Sequence, residues 1–230
     1  INLVLDAGWL AEQIDHILAE DESFGALQIG QGQRVQVEYG SANPTGPLHI
    51  GFARNVVLGD TLANVLAAAG FEVEREYYVN DAGSQERVFG ESLYARYAQA
   101  LGQDEPFPEN GYAGDYVVEM SRQFAEEYGD RYMDAPYDEA TRALGREGIE
   151  RVIEAARQDL ADLDIVYDAW FHESSLYESG LFEELLQVLR DKGHITEYDG
   201  ATWFTSPELA DDAVVIRSPA VVPAPDERPT

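Results

Sequence analysis

Between Val35 and Gln85 the chain reads VQVEYGSANPTGPLHIGFARNVVLGDTLANVLAAAGFEVEREYYVNDAGSQ, and this stretch limits the fold more than any other. A short run rich in Val and Tyr leads into a Gly/Pro/Asn loop, then a long segment with helical spacing, then a second β-rich run. That order is a strand–helix–strand unit, in which the helix crosses over between two parallel strands. The spacing predicts a helix from about Leu48 to Ala69, stopped by Gly70, and a strand over Phe71 to Val79. A helix start presents unpaired N–H groups and a partial positive charge, so it holds anionic oxygens. His49 adds a donor at that start, while Gly46 and Gly51 let the backbone come close to a bound group. The pattern points to nucleotide chemistry centred on His49.

The flanks extend the same alternation. Ile1 to Leu5 reads as a strand, followed by an amphipathic helix from Gly8 to Glu20. Its Leu10, Ile14, Ile17 and Leu18 recur at helical spacing as one buried stripe. A Gly-rich link, Gly25 to Gln33, leads to a strand over Arg34 to Tyr39. After the Asn80–Gly83 turn a helix runs to about Leu101, then a surface loop from Gly102 to Gly114, with Asp115 as the next N-cap. Helices follow over Tyr116–Tyr128 and Asp138–Leu163, the second weakened by Gly145 and Gly148. Asp164 to Phe171 reads as a strand and Gly180 to Lys192 as a helix closed by Gly193. A hairpin over 194–204 turns at Asp199-Gly200, Val214 to Arg217 forms a last strand, and a Pro-rich tail ends the chain. The fold class is therefore α/β: a Rossmann-like parallel sheet with a mostly helical insertion. The expected organisation is an N-terminal region and linker helix over 1–33, a first catalytic half over 34–101, the insertion over 102–163, a continuation over 164–217 and a tail over 218–230.

Composition narrows the setting. The chain has 230 residues, 45% of them hydrophobic, ample for a core. No apolar run approaches the roughly 18 residues of a membrane span, and the start INLVLDAGW shows no leader pattern. A start without Met is what an excised or processed piece would show. With no cysteines, disulfides and thiolate metal sites are excluded. These features suit a cytoplasmic protein without a membrane partner. The net charge of −29 opposes nucleic acid, because affinity there comes from neutralised phosphates. A local basic patch would answer that objection, whatever the sum.

A short signature and three longer words carry a family resemblance. Pro44-Thr45-Gly46-Pro47-Leu48-His49-Ile50-Gly51 looks like the HIGH signature of class I aminoacyl-tRNA synthetases. Glu38-Tyr39-Gly40-Ser41-Ala42-Asn43 and Tyr77-Tyr78-Val79-Asn80-Asp81-Ala82-Gly83-Ser84-Gln85 resemble the bacterial arginyl-tRNA synthetases, as does Asp199-Gly200-Ala201-Thr202-Trp203-Phe204. The similarity runs from about Ile1 to Arg217. It implies arginine–tRNA ligation: the carboxylate of L-arginine attacks the α-phosphate of ATP, and the aminoacyl group then passes to tRNA(Arg). It also implies a class I architecture and a monomer in the full-length form.

The resemblance places ATP against Pro44, Gly46, His49, Gly51 and Phe52, with His49 catalytic. Phe52 departs from the signature, which has a second histidine there, and so removes one polar contact from the ATP site. Arginine falls to Glu38, Ser41, Asn43, Asp81 and Gln85, with Tyr77 and Asn80 as further walls. The last two binding residues, Asp81 and Gln85, sit one helical turn apart, facing the cleft. Plainer readings stand beside these: His49 as a helix cap, Glu38 as an exposed strand-end acid, Asn43 as a turn former, and Asp81 as part of a capped turn. Arg54 reads as an exposed helix arginine, His172 and His194 as ordinary surface or loop histidines, and Tyr128, Tyr132 and Tyr137 as core of the insertion. Magnesium is implied for ATP chemistry without a nameable ligand set. With Lys192 as the sole lysine, the lysine-rich second signature of the class is missing, so the chain is expected to be an incomplete catalytic core. The alternative stays open: a truncated paralogue that binds nucleotide, amino acid or a partner without aminoacylation.

Overall fold

A computed structural model of the chain describes residues 4–198 and 200–205, with 22 and 214–217 described as backbone alone. It divides into two compact units, residues 1–172 and 173–230. In the first unit, β1 (Arg34–Glu38) turns Arg34, Gln36 and Glu38 outward while Val35 and Val37 are half-buried, the two-residue period of a strand covered on one side. Helix α2 (Ile50–Ala68) carries the chain to β2 (Glu72–Val79), which pairs with β1 in parallel, Glu38 opposite Glu76. On the other edge of β2 lies β3 (Ala169–His172), also parallel, with Val79 opposite His172. The parallel sheet expected of an α/β chain is present, with β2 at its centre. Gly70 ends α2 at φ 87°, a left-handed turn that glycine adopts without strain. One side of α2 buries Val56 and Ala63, while Ile50, Val57, Leu58, Leu62 and Val65 are exposed.

Between β2 and β3 come α3 (Ser84–Ala100), α4 (Asp115–Tyr128) and α5 (Tyr137–Ala161), with α3 packed against the other two. Phe89, Leu93 and Tyr97 of α3, Phe124 of α4, and Leu144 and Ile153 of α5 fill the core between them. Helix α5 runs unbroken through Gly145 and Gly148, the two residues that made it look weak. A Cβ at Gly90 would lie 2.3 Å from the Thr141 carbonyl oxygen, and one at Gly145 would lie 3.1 Å from the Gly90 Cα. A Cβ at Gly148 would meet the Leu93 side chain at 2.4 Å. The helices thus cross almost backbone to backbone, and the close packing outweighs the roughly 1 kcal/mol of propensity lost at each glycine.

Several local expectations are corrected. Helix α1 (Ala7–Glu20) forms, capped by the Asp6 carboxylate on the Trp9 N–H at 3.0 Å, yet its apolar stripe is not buried. Leu10, Ile14, Ile17 and Leu18 are all at least 42% exposed, because nothing among the described residues lies against them. Of the strand expected at the start, residues 1–3 lie outside the described residues and 4–6 are irregular. Gly114 rather than Asp115 holds the cap position of α4, and Asp115 instead contributes a carboxylate to the positive first turn. The strand before His172 begins only at Ala169, after Asp164 turns the chain with φ 58°.

In the second unit, the short α6 (Ser174–Glu178), not foreseen, precedes α7 (Leu181–Asp191), which Gly193 terminates with φ 77°. Strands β4 (Ile195–Tyr198), β5 (Ala201–Phe204) and β6 (Val214–Arg217) form an antiparallel sheet in that order. Trp203, 1% exposed, anchors it and donates its indole N–H to the Tyr198 carbonyl. Asp199 of the expected turn and the Pro-rich tail lie outside the described residues. Because the α3–α5 crossing has no room for a methyl group, Gly90→Ala should destabilise by about 2 kcal/mol or more. The thermal midpoint should drop by roughly 4–8 °C, measured by calorimetry.

Candidate functional site

The loop from Tyr39 to His49 has no regular structure, and other elements hold it by hydrogen bonds. From α2, Asn55 accepts the Gly40 N–H on its Oδ1 at 2.7 Å. From β2, the Tyr77 hydroxyl accepts the Ala42 N–H at 3.2 Å, and after β2 the Asn80 amide donates to the Asn43 Oδ1 at 2.6 Å. From α4, the Tyr116 hydroxyl donates to the Thr45 carbonyl at 2.6 Å. Gly40 adopts φ 74°, and a Cβ there would come within 2.8 Å of the Tyr167 hydroxyl and 2.9 Å of Phe52. Both the turn and the close approach require glycine.

Beneath the loop is an aromatic floor. Tyr77 stacks on Trp170 with ring centroids 4.3 Å apart, and Tyr167 meets Tyr39, Tyr77 and Trp170 at 4.6, 5.3 and 5.5 Å. Tyr39 packs onto Gly59 of α2, where a Cβ would sit 2.2 Å from the ring, and donates its hydroxyl to Asp60 at 3.3 Å. Burial, and then the Asp60 carboxylate, push the Tyr39 hydroxyl up to about 12. Burial likewise raises Tyr77. Both stay protonated at neutral pH, so these bonds do not change there.

Above this floor opens a cavity of about 780 Å³. It gathers Glu38, Ser41, Asn43, Gly46, His49, Gly51 and Phe52, seven residues singled out in the sequence. Pro44 is buried behind it and lines a small adjoining void with Asn43 and Gly46. His49 occupies the N-cap of α2 with extended backbone (φ −124°, ψ 162°), and its side chain makes no capping bond. A Cβ at Gly51 would lie 3.1 Å from the His49 Nδ1, so the imidazole lies over the first turn, beside the open amides of Ile50 and Gly51. On its other side His49 borders an apolar cavity of about 200 Å³, shared with Leu48, Ile50, Phe52, Val57, Leu160 and Leu163.

Other expected residues fall elsewhere. Asp81 precedes α3 rather than lying on it, so the helical spacing to Gln85 does not apply, and neither lines the main cavity. Instead Asp81 pairs with His172, Oδ2 to Nδ1 at 2.7 Å, joining the ends of β2 and β3. This corrects the reading of His172 as an ordinary surface histidine; side-by-side strand ends brought the two together, 91 residues apart in sequence. His194 stays a loop residue of the second unit, its ring against Phe204. Arg54 is exposed on α2. Tyr128 and Tyr132 pack edge to face at 5.5 Å against the helical core, whereas Tyr137 leans on Tyr94 and is 48% exposed.

Sequence reasoning missed Tyr112 and Tyr116, which wall the cavity from a segment read as surface loop and its following helix. It also missed Glu76, the register partner of Glu38. Burial raises the Glu76 carboxyl, and the like charges of Glu38 and Glu74 raise it further. The Glu-x-Glu-x-Glu alternation of residues 72–76, laid in parallel beside Glu38, was the signal. Among the described residues no group of three His, Asp or Glu side chains is placed to grip a metal. No helix among them is long and apolar enough to cross a membrane.

Comparison with known proteins gives consistent matches. Residues 13–218 match the model of the catalytic domain of class I (R) tRNA synthetases. The arginine–tRNA ligase of Geobacillus kaustophilus (strain HTA426) is 47% identical over 212 residues, covering 92% of this chain and 38% of that protein. A provisionally assigned arginyl-tRNA synthetase from Campylobacter jejuni superimposes with a TM-score of 0.77 at 30% identity, over 98% of this chain and 48% of that one. The Thermus thermophilus arginyl-tRNA synthetase gives a TM-score of 0.56 at 26% identity, over 88% and 35%. The chain therefore spans well under two thirds of the length of these relatives.

The loop geometry itself is testable. Asn55→Ala removes the acceptor for the Gly40 N–H, and hydrogen exchange at the Gly40 amide should quicken about tenfold, equivalent to roughly 1.4 kcal/mol. Exchange at Val73, on the central strand β2, should not change.

Proposed function

Since the chain belongs to the class I (R) tRNA synthetase catalytic-domain family, we propose that it supplies the arginine- and ATP-binding part of an arginine–tRNA ligase. The observation that carries this reading is the single cavity in which Glu38, Asn43 and His49 meet at the carboxyl end of β1 and the start of α2. Open α/β sheets take their ligands at that edge.

The chemistry follows from what each wall offers. The always-charged guanidinium of arginine needs carboxylates in the plane of its fork. Glu38 is exposed at the cavity edge, and the mutual repulsion of Glu38 and Glu76 falls when a cation arrives. Asn43, fixed by Asn80, and Ser41 offer polar contacts to the rest of the amino acid. The phosphates of ATP suit the opposite wall, where the α2 dipole, the Ile50 and Gly51 amides and the His49 imidazole converge. Apolar walls beside His49 suit the adenine ring, which needs surface rather than charge.

In this arrangement the arginine carboxylate attacks the α-phosphorus, the bond to the β-phosphate oxygen breaks, and pyrophosphate leaves. The protein's work is to hold the two substrates in line and to stabilise negative charge on the α-phosphoryl oxygens. His49 donates a hydrogen bond to that charge as it builds. Transfer follows when a hydroxyl of the terminal ribose of tRNA(Arg) attacks the aminoacyl carbonyl and AMP departs. Phe52 removes a polar side chain from the slot but keeps an apolar edge for the nucleotide.

Lysine should be rejected strongly, because a carboxylate built for a guanidinium fork is left poorly paired by an ammonium. Calorimetric titration of the 230-residue chain with arginine, lysine and ATP tests the assignment. Glu38→Gln should weaken arginine about 10- to 100-fold, the worth of one charge-assisted hydrogen bond, and leave ATP nearly unchanged. Equal loss of both ligands would remove Glu38 from the arginine site.

A further inference from the structure

We propose that a second cavity, in the crook between α3 and α5, is a subsite for a backbone phosphate of an RNA strand. The inference rests on the reading of the chain as part of a tRNA ligase and adds a contact outside the His49 cavity. The space measures about 460 Å³ and is lined by Glu86 and Arg87 of α3 and by Asp138, Arg142 and Arg146 of α5, among others. None of these residues borders the His49 cavity.

The helix crossing creates it. Gly90 and Gly145 bring the two backbones together, and a Cβ at Gly145 would lie 3.5 Å from the Glu86 carbonyl. Glu86 and Arg87, one turn before Gly90, therefore face Arg142 and Arg146, which flank Gly145.

Charge decides what such a space attracts. The chain holds 44 acidic residues against 15 Lys and Arg, so phosphate is repelled wherever positive charge is already neutralised. Arg34, Arg75, Arg122, Arg151 and Arg190 each form salt bridges. Arg96 and Arg157 lie over the rings of Phe107 and Trp170. At the cavity itself Arg87 is held by Glu91 at 2.5 Å. Arg142 and Arg146 form neither a salt bridge nor a hydrogen bond among the described residues. They stand four residues apart on one helix, where like charges destabilise. Glu86 and Asp138 line the same cavity without a salt bridge to either arginine; burial raises the Glu86 carboxyl, and Arg146 and Arg142 pull the other way. A phosphate oxygen accepting from both planar guanidinium forks removes that repulsion.

The walls also select the ligand. They are Gly, Thr, Asp, Glu and Arg throughout, with no aromatic ring on which a nucleotide base could stack. That suits a phosphodiester presented from a strand whose bases point elsewhere. The cavity also touches Gly83, the N-cap of α3, in the loop after β2 that carries Asp81.

Filter binding of a tRNA transcript to the full chain, across a range of salt, tests the subsite. Arg142→Gln/Arg146→Gln should lower the slope of log affinity against log salt by about 1–2 and weaken low-salt binding about tenfold. Arginine and ATP should titrate as they do with the unsubstituted chain. Arg122→Gln/Arg131→Gln, which removes the same charge elsewhere, should leave the slope unchanged. An unaltered slope in the first pair, or an equal loss in the second, overturns the proposal. Displacement of tRNA by millimolar inorganic phosphate at constant ionic strength would make this a free-ion site and overturn the RNA assignment. If tRNA fails to bind while arginine and ATP bind, the subsite is wrong and the reading of the His49 cavity stands. If arginine and ATP fail to bind while tRNA affinity still follows Arg142 and Arg146, that reading falls and the subsite stands.

Discussion

The site depends on one constraint: the loop that carries Ser41, Asn43 and Gly46 cannot determine its own shape. It has no ladder and no helix, so its backbone groups must find partners on neighbouring elements. Asn55, Tyr77 and Tyr116 supply them from α2, β2 and α4. The aromatic floor beneath holds Tyr77 in place, and glycine at positions 40 and 59 lets the floor close up against loop and helix. The scaffolding sets the loop before any ligand arrives, the order that the proposed work on a phosphoryl group calls for.

The local part of this architecture was legible in the sequence. A Gly/Pro loop before an apolar-periodic segment identifies a helix start, and a histidine at that start can be placed without knowing anything remote. Gly46, His49 and Gly51 of the cavity were found for that reason, while Glu38, Ser41, Asn43 and Phe52 came from the resemblance to the synthetases. Residues that arrive through distant contacts were not. Tyr112 and Tyr116 look like loop and helix surface until α3 and α4 pack, and His172 looks solitary until β3 lies beside β2. Periodicity likewise told which residues of α1 share a face but not whether anything covers that face. At Gly145 two physical terms opposed each other: propensity counted against the helix, and the backbone crossing with α3 required the glycine.

The acidity of the chain gives its few cations disproportionate weight. With most arginines locked into pairs or laid over rings, net charge says little about where an anion can approach. The relevant quantity is the local remainder after pairing. By that measure Arg142 and Arg146 of α5, in no salt bridge among the described residues, differ from the arginines held in pairs or over rings.

The Tyr116 hydroxyl ties the helical segment to the loop before His49 through a backbone carbonyl rather than a side chain. Such a tether transmits displacement whatever residue occupies position 45. Any tilt of α4 therefore tugs directly on the strip of main chain leading to His49. The helices between the second and third strands are in this way joined to the loop that ends at His49 through one main-chain carbonyl.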